Sequence, residues 1–353
     1  MATGREFLNN LQVLRAYAAG AVVFVHLVQY YGFRAPFGLY GVDLFFVLSG
    51  FIMAMLAAQE PSHFLTRRLI RIVPLYWLCT FGVFLAALLR PELLHSTRPD
   101  WGNLVKSLLF IPYRKESGAV QPLLFLGWTL NYEIFFYLIF AVVLGLRLRK
   151  PWVWVSLVLM SLPVLGMLLS ARSTAWEFYT NPIILEFLLG IGVYQLTLNI
   201  SVKRENIWPV AFVLIGCLLL LPCLELWFGV AYRYLFLGVP AAALVLCAVF
   251  LERSGCLLRN SVLLLIGNAS YVLYLTHPYV LQLGEKTLRF NLVQSLAGRV
   301  AAGIMLVVLA LVVACAVHLN FEKPVMRILK RWLLLDNKRT VAPVEAPVSA
   351  ALQ

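Results

Sequence analysis

The chain sets two histidines, three arginines and two carboxylates inside long apolar runs or at their ends. His26 falls within Leu11–Tyr31, with Arg15 near the start of the same run, and His277 falls within Val262–Leu283. Arg68 and Arg71 stand at the mouth of Ile70–Leu89. Ionisable groups held at membrane depth are costly, so each marks a candidate functional position. An imidazole titrates near neutral pH and can act as base, nucleophile or proton shuttle. A guanidinium presents a planar fork of donors suited to phosphate.

Spacing adds to residue type. Arg15 and His26 are 11 residues apart, which returns to nearly the same helix face about 16 Å further along the axis. Arg68 and Arg71, at i and i+3, share a face, and Pro74 after them is expected to start or kink the helix. Gly41–Phe51 opens the second run and carries Asp43 near the same end of the membrane as His26. There Asp43 is expected to orient an imidazole, the competing reading being a first-turn acid of the helix. Ser49 and Gly50 read as a close-packing pair. Glu133, with Asn131 beside it, lies mid-way through the fourth run and needs a partner or a wet cavity; Glu186 is a weaker case of the same kind. Ser270, Tyr274 and His277 recur at i, i+4 and i+7 and line one face. Taken singly, the arginines also fit a topology-setting role and the histidines an interhelical hydrogen bond. Taken together, the cations gather at one side of the membrane and His26, Asp43 and His277 at the other, with Glu133 between. That order suits a phosphorylated donor that enters from the cytoplasm and has its reactive end delivered to the outer half of the membrane.

The elements that must position these groups follow from composition. Of 353 residues, 62% are hydrophobic and only 13% charged, about half the charged fraction of a soluble domain. Ten stretches are long and apolar enough to cross the hydrocarbon core: 11–31, 39–58, 70–89, 122–146, 151–169, 182–198, 207–224, 234–251, 262–283 and 298–319. The expected fold is therefore all-α and polytopic, with about ten transmembrane helices. The intervening segments on the side of the N-terminus hold 17 Lys and Arg, against 11 on the other. This predicts both termini in the cytoplasm. In the long connection 90–121, Trp101–Pro112 reads as an amphipathic helix on the outer face. Residues 1–335 are expected to form one integral-membrane domain and 336–353 a disordered cytoplasmic tail. No internal repeat, second soluble domain or cleavable signal pattern is seen. The net charge of +13 resides mostly in short connections, with no basic patch carrying interleaved aromatics, so nucleic acid is not an expected partner. The six cysteines form no CxxC and no pattern with histidine, so neither a metal site nor a disulfide framework is expected.

These residues also carry a resemblance. Leu14-Arg-Ala16 with His26, the segment Gly41–Phe51, Arg68-Leu-Ile-Arg71 with Pro74, the segment Gly127–Glu133, the segment Gly267–His277, and Glu322-Lys-Pro324 recur in one order along the chain. In this the chain resembles the membrane acyltransferase-3 family, and most of all its exopolysaccharide (succinoglycan-type) O-acetyltransferase branch. The resemblance implies acetyl transfer from cytoplasmic acetyl-CoA, as co-substrate, to a sugar hydroxyl at the bacterial inner membrane. It makes Arg15 and His26 critical and associates Arg68 and Arg71 with the acyl donor. His26, Asp43, Glu133 and His277 are then the catalytic candidates, with Arg15, Arg68 and Arg71 holding the donor. His26 would act as general base or as transient acyl carrier. The expected acceptor is a lipid-linked saccharide or growing polysaccharide, with polysaccharide-synthesis proteins as further partners. The sequence departs from the family at Gln12, where many members carry aspartate, so that acid cannot contribute here. Many members also carry a fused extracytoplasmic domain that this sequence lacks, so any carrier needed there is expected from another protein. The competing readings are a proton-coupled transporter or flippase of a polysaccharide precursor, and a scaffold subunit of an export complex. The first expects related halves or matching broken spans, which are not seen, and the second leaves the buried histidines without a role.

Overall fold

The computed structural model describes residues 9–30, 38–59, 61–90, 98–169, 173–228, 232–288 and 295–335. The expected tail at 336–353 lies outside them. The described chain is helical throughout: α1 (Asn9–Tyr30), α2 (Tyr40–Gln59), α3 (Phe64–Leu89), α4 (Trp101–Leu108), α5 (Trp128–Gly145), α6 (Pro151–Leu168), α7 (Thr174–Tyr179), α8 (Leu185–Asn199), α9 (Ile207–Phe228), α10 (Arg233–Phe236), α11 (Gly238–Arg253), α12 (Ser261–Asn268), α13 (Ser270–Leu288), α14 (Leu296–Val317) and α15 (Lys323–Leu335). Among the described residues, nine helices are long and apolar enough to span a membrane. A helix satisfies its own backbone polar groups, so it crosses hydrocarbon without unpaired N–H or C=O.

The helices form an inner set and an outer set. The apolar window of α2 is 72% buried and that of α1 61%, against 11% for α9 and 17% for α6. The inner helices therefore carry the polar side chains, and the outer ones turn apolar surface outward. α2 and α8 run side by side in the same direction, with Phe51 against Tyr194 and Phe46 stacked on Phe187. Their backbones meet at Gly50 and Gly190. A Cβ at Gly50 would lie 2.1 Å from the Phe187 carbonyl oxygen, and one at Gly190 2.1 Å from that of Val47. Gly50 thus packs as its sequence suggested; its neighbour Ser49 has another use, described below.

Two expectations about elements are corrected. The helix carrying Arg68 and Arg71 begins at Phe64, so both arginines stand inside its first turns rather than at its mouth, and Pro74 is interior. Three arginines in the five residues 67–71 disguise the opening turns as a connection. The expected ninth span is two helices, α12 and α13, parted at Ala269. Gly267, Asn268 and Ser270 around the break are weak helix formers. The break lets α12 press on α1, where a Cβ at Gly267 would lie 2.0 Å from the Gln12 carbonyl oxygen.

α4 is the short amphipathic helix expected in the long connection. Asp100 caps it by accepting the Asn103 N–H at 2.6 Å, and it packs on α3 through Trp101 against Phe84. α2 receives an unusual cap. The buried Glu225 carboxylate of α9 accepts the N–H groups of Gly38, Leu39 and Tyr40 at 2.8, 2.8 and 3.4 Å. Those are donors that the start of a helix cannot satisfy itself.

Candidate active site

α1, α2, α3, α5 and α13 enclose a cavity whose polar lining is Arg15, Arg68, Arg71, Glu133, Ser49, Tyr137, Thr129, Ser270, Tyr271 and Tyr274. Arg15 is 8% exposed and donates from Nε and Nη2 to Ser270 Oγ, at 3.1 and 3.0 Å. Glu133 Oε1 accepts hydrogen bonds from Ser49 Oγ at 2.7 Å and from the Tyr137 hydroxyl. Neither Arg68 nor Arg71 has a hydrogen-bond or ion-pair partner among the described residues. Three guanidiniums thus share one cavity with one carboxylate. Buried charge is ordinarily paired, so an excess of unused planar donors suits a ligand bearing several negative charges.

The histidines meet further along α1 and α13, outside the cavity lining. His277 is fully buried on α13, and its Nε2 lies 3.3 Å from Nδ1 of the half-buried His26 on α1. Their rings contact edge to face, with centroids 5.0 Å apart. Each Nδ1 also lies 2.8 Å from a carbonyl oxygen one turn back in its own helix, Val22 for His26 and Leu273 for His277. A carbonyl oxygen only accepts, so both Nδ1 atoms carry hydrogen. His26 Nδ1–H is then shared with His277 Nε2, which must be the acceptor. His277 is therefore neutral in this arrangement, and when His26 is neutral its lone pair lies on Nε2, the form a general base needs.

Tyr274 stands between the two groups. It lines the cavity, its ring centroid is 6.4 Å from that of His277, and its hydroxyl bonds Thr129 Oγ1 at 2.9 Å and the Leu126 carbonyl at 3.2 Å. α13 therefore offers Ser270 to Arg15, Tyr274 to the partition and His277 to His26, the single face its spacing predicted.

Asp43 is not where its expected partnership with an imidazole requires, whereas Glu133 has both partners and a cavity. Asp43 is fully buried, and its two oxygens accept from Arg233 Nε and Nη2, each at 2.6 Å. No hydrogen bond joins it to either histidine. The reason is the stagger of α1 and α2, which pack antiparallel with Tyr40 on Tyr17 and Gly41 on Ala18. Asp43 lies beyond those contacts, toward the Arg15 end of α1. Glu133 sits with the arginines for the same kind of reason: α5 presents it to α2 and α3. Glu186 is fully buried beside the Asp43–Arg233 pair.

Sequence reasoning missed several partners. Tyr137 is four residues from Glu133, so helical spacing could have found it. Ser49 and Arg233 carried no local signal, since each meets its carboxylate across the fold. His318 and Glu322, at i and i+4, pair at 2.6 Å in a buried π-helical turn. Among the described residues no group of three His, Cys, Asp or Glu side chains is placed to hold a metal.

The acyltransferase-3 family model, described as an acyltransferase domain, matches residues 8–319. The exopolysaccharide production protein ExoZ of Rhizobium meliloti is 32% identical over 311 residues, covering 86% of this chain and 94% of its own. The acyltransferase MdmB of Streptomyces mycarofaciens is 28% identical, covering 96% of this chain and 97% of its own. The O-acetyltransferase OatA of Staphylococcus aureus is 26% identical over 77% of this chain, which spans 50% of that protein. No solved structure matches the chain.

Proposed function

Because the chain belongs to the acyltransferase-3 family, we propose that it moves an acetyl group from cytoplasmic acetyl-CoA to a sugar hydroxyl of an exopolysaccharide or other cell-surface glycan precursor. The chain is a multi-pass membrane acyltransferase, and in our reading it lies in the bacterial inner membrane with both termini in the cytoplasm. One observation carries it: three guanidiniums and a single carboxylate share one cavity, and α1 and α13, which help to line it, also bring His26 against His277. The excess cationic charge fits the phosphates of CoA, and the long arm of CoA fits the distance from the arginines to His26. The names of ExoZ and OatA support a glycan acceptor.

In this reading Arg68, Arg71 and Arg15 hold the donor phosphates. His26 Nε2 takes the proton of the acceptor hydroxyl as that oxygen attacks the thioester carbonyl carbon. A carbon–oxygen bond forms, the carbon–sulfur bond breaks, and His26 returns the proton to the departing thiolate. His277 is a positioning residue: it accepts the Nδ1–H of His26, fixes the tautomer and steadies the cation formed in passing. Glu133, held by Ser49 and Tyr137, balances part of the arginine charge between turnovers. Tyr274, between Ser270 and His277 on α13, lies along the way from the donor cavity to His26.

The test is to incubate purified protein with acetyl-CoA labelled in the acetyl group, with and without a membrane glycolipid extract. Label should pass to the glycolipid with release of CoA, and His26→Ala and Arg68→Ala should both abolish it. Folded protein that neither binds nor turns over the donor would overturn the reading.

A further inference from the structure

We propose that α15 is a surface anchor seated on anionic phospholipid headgroups, in the leaflet at the C-terminal end of α14. This proposal does not rest on the identity of the acyl donor. The helical run Leu296–Leu334 has 39 residues, or about 58 Å at 1.5 Å per residue. A bilayer is about 30 Å thick in its core and 40–45 Å with its headgroups. The end of the run therefore reaches the headgroup region or leaves the membrane.

The composition of α15 says which. Lys323, Arg327, Lys330 and Arg331 fall at i, i+4, i+7 and i+8, on one arc, and the helix carries no acid. Beside that arc Ile328 and Trp332, at i and i+4, are 56% and 75% exposed. α15 packs on α3, yet these two large apolar side chains stay uncovered. An exposed tryptophan and isoleucine bordering four cations would be poorly placed in water. They suit the boundary between headgroups and acyl chains, where an aromatic ring buries its face and cations meet lipid phosphates. The π-helical turn fixes how the helix is presented. The 2.6 Å pair of His318 and Glu322, both buried, ties the end of α14 to the start of α15. Because α3 carries Arg68 and Arg71, the anchor would also steady one wall of the cavity.

The experiment places the full chain in nanodiscs of phosphatidylcholine, with or without phosphatidylglycerol, and quenches tryptophan emission with brominated lipid. The contribution of Trp332 is read as the difference between the wild type and Trp332→Phe. In phosphatidylglycerol discs the Trp332 share should be lost to brominated lipid. That loss should shrink in neutral discs, in high salt, and in a Lys323→Gln/Arg327→Gln/Arg331→Gln variant. The salt series uses the unaltered chain, so misfolding of the triple variant does not remove the test. Trp332 quenched by aqueous iodide and not by lipid would overturn the proposal. So would shielding from both quenchers, which would mean that protein covers the patch. Lipid quenching indifferent to phosphatidylglycerol and salt would also overturn it, because the headgroup charge would then play no part.

Discussion

His26 and His277 divide one task by accessibility: the half-buried ring is open to a reactant, and the fully buried one is open only to its neighbour. His277→Ala should therefore lower kcat by about 100-fold or more, on the scale of lost acid–base assistance, with little change in donor KM. His277→Gln retains an acceptor oxygen and should recover part of the loss, an outcome that a packing role would not give. Steady-state kinetics of both variants separates the two accounts. Arg71→Lys keeps the charge and loses the planar fork. Loss of one charge-assisted bond is worth about 1.5–3 kcal/mol, so the donor KM should rise roughly 10- to 100-fold while kcat holds; direct donor binding checks it. These residues were legible in the sequence by type and depth, because ionisable groups stand out in apolar runs. Their partners were not. Nothing local says that Asp43 answers to Arg233, 190 residues away, or that Glu133 takes a hydrogen bond from Ser49, 84 residues away.

Between helices, contact is limited by what a backbone allows. α2 and α8 approach so closely at Gly50 and Gly190 that one methyl group would collide with a carbonyl oxygen. Gly190→Ala should destabilise the protein by about 1–3 kcal/mol, the usual range for overpacking, and lower its melting temperature in detergent. Gly192→Ala, where an added Cβ meets nothing within 4 Å, should melt like the parent. The apolar runs showed most helices, because crossing a membrane demands length and hydropathy that few other elements have. They misjudged ends and breaks. The start of α3 was hidden by its own arginines, and the α12–α13 break by the apolar residues on both sides of Ala269. Helix termini follow from capping and packing, which a run of hydropathy does not encode.

Across the whole molecule, Asp43 and Arg233 tie α2 to the start of α10, with side chains 0% and 11% exposed. Breaking a buried pair from one side strands the other charge, at about 3–5 kcal/mol. Asp43→Asn should thus lower the melting temperature, and Asp43→Asn/Arg233→Gln should recover part of the loss. A catalytic Asp43 would instead lower kcat with the melt unchanged. The membrane architecture was legible from composition alone, whereas the stagger of α2 on α1 that commits Asp43 to Arg233 was not, because it depends on how the chain turns between them. The hydrogen bonds from Arg15 to Ser270 and from His26 to His277 join residues 255 and 251 positions apart. A ribosome adds about 5–20 residues per second, so the nascent first helix waits roughly 13–50 s for the segment that completes it. Throughout that interval Arg15 and His26 stand in the membrane without their final partners. The site cannot close until residues 270 and 277 have been made, and a polypeptide stalled before residue 270 displays an unanswered buried cation.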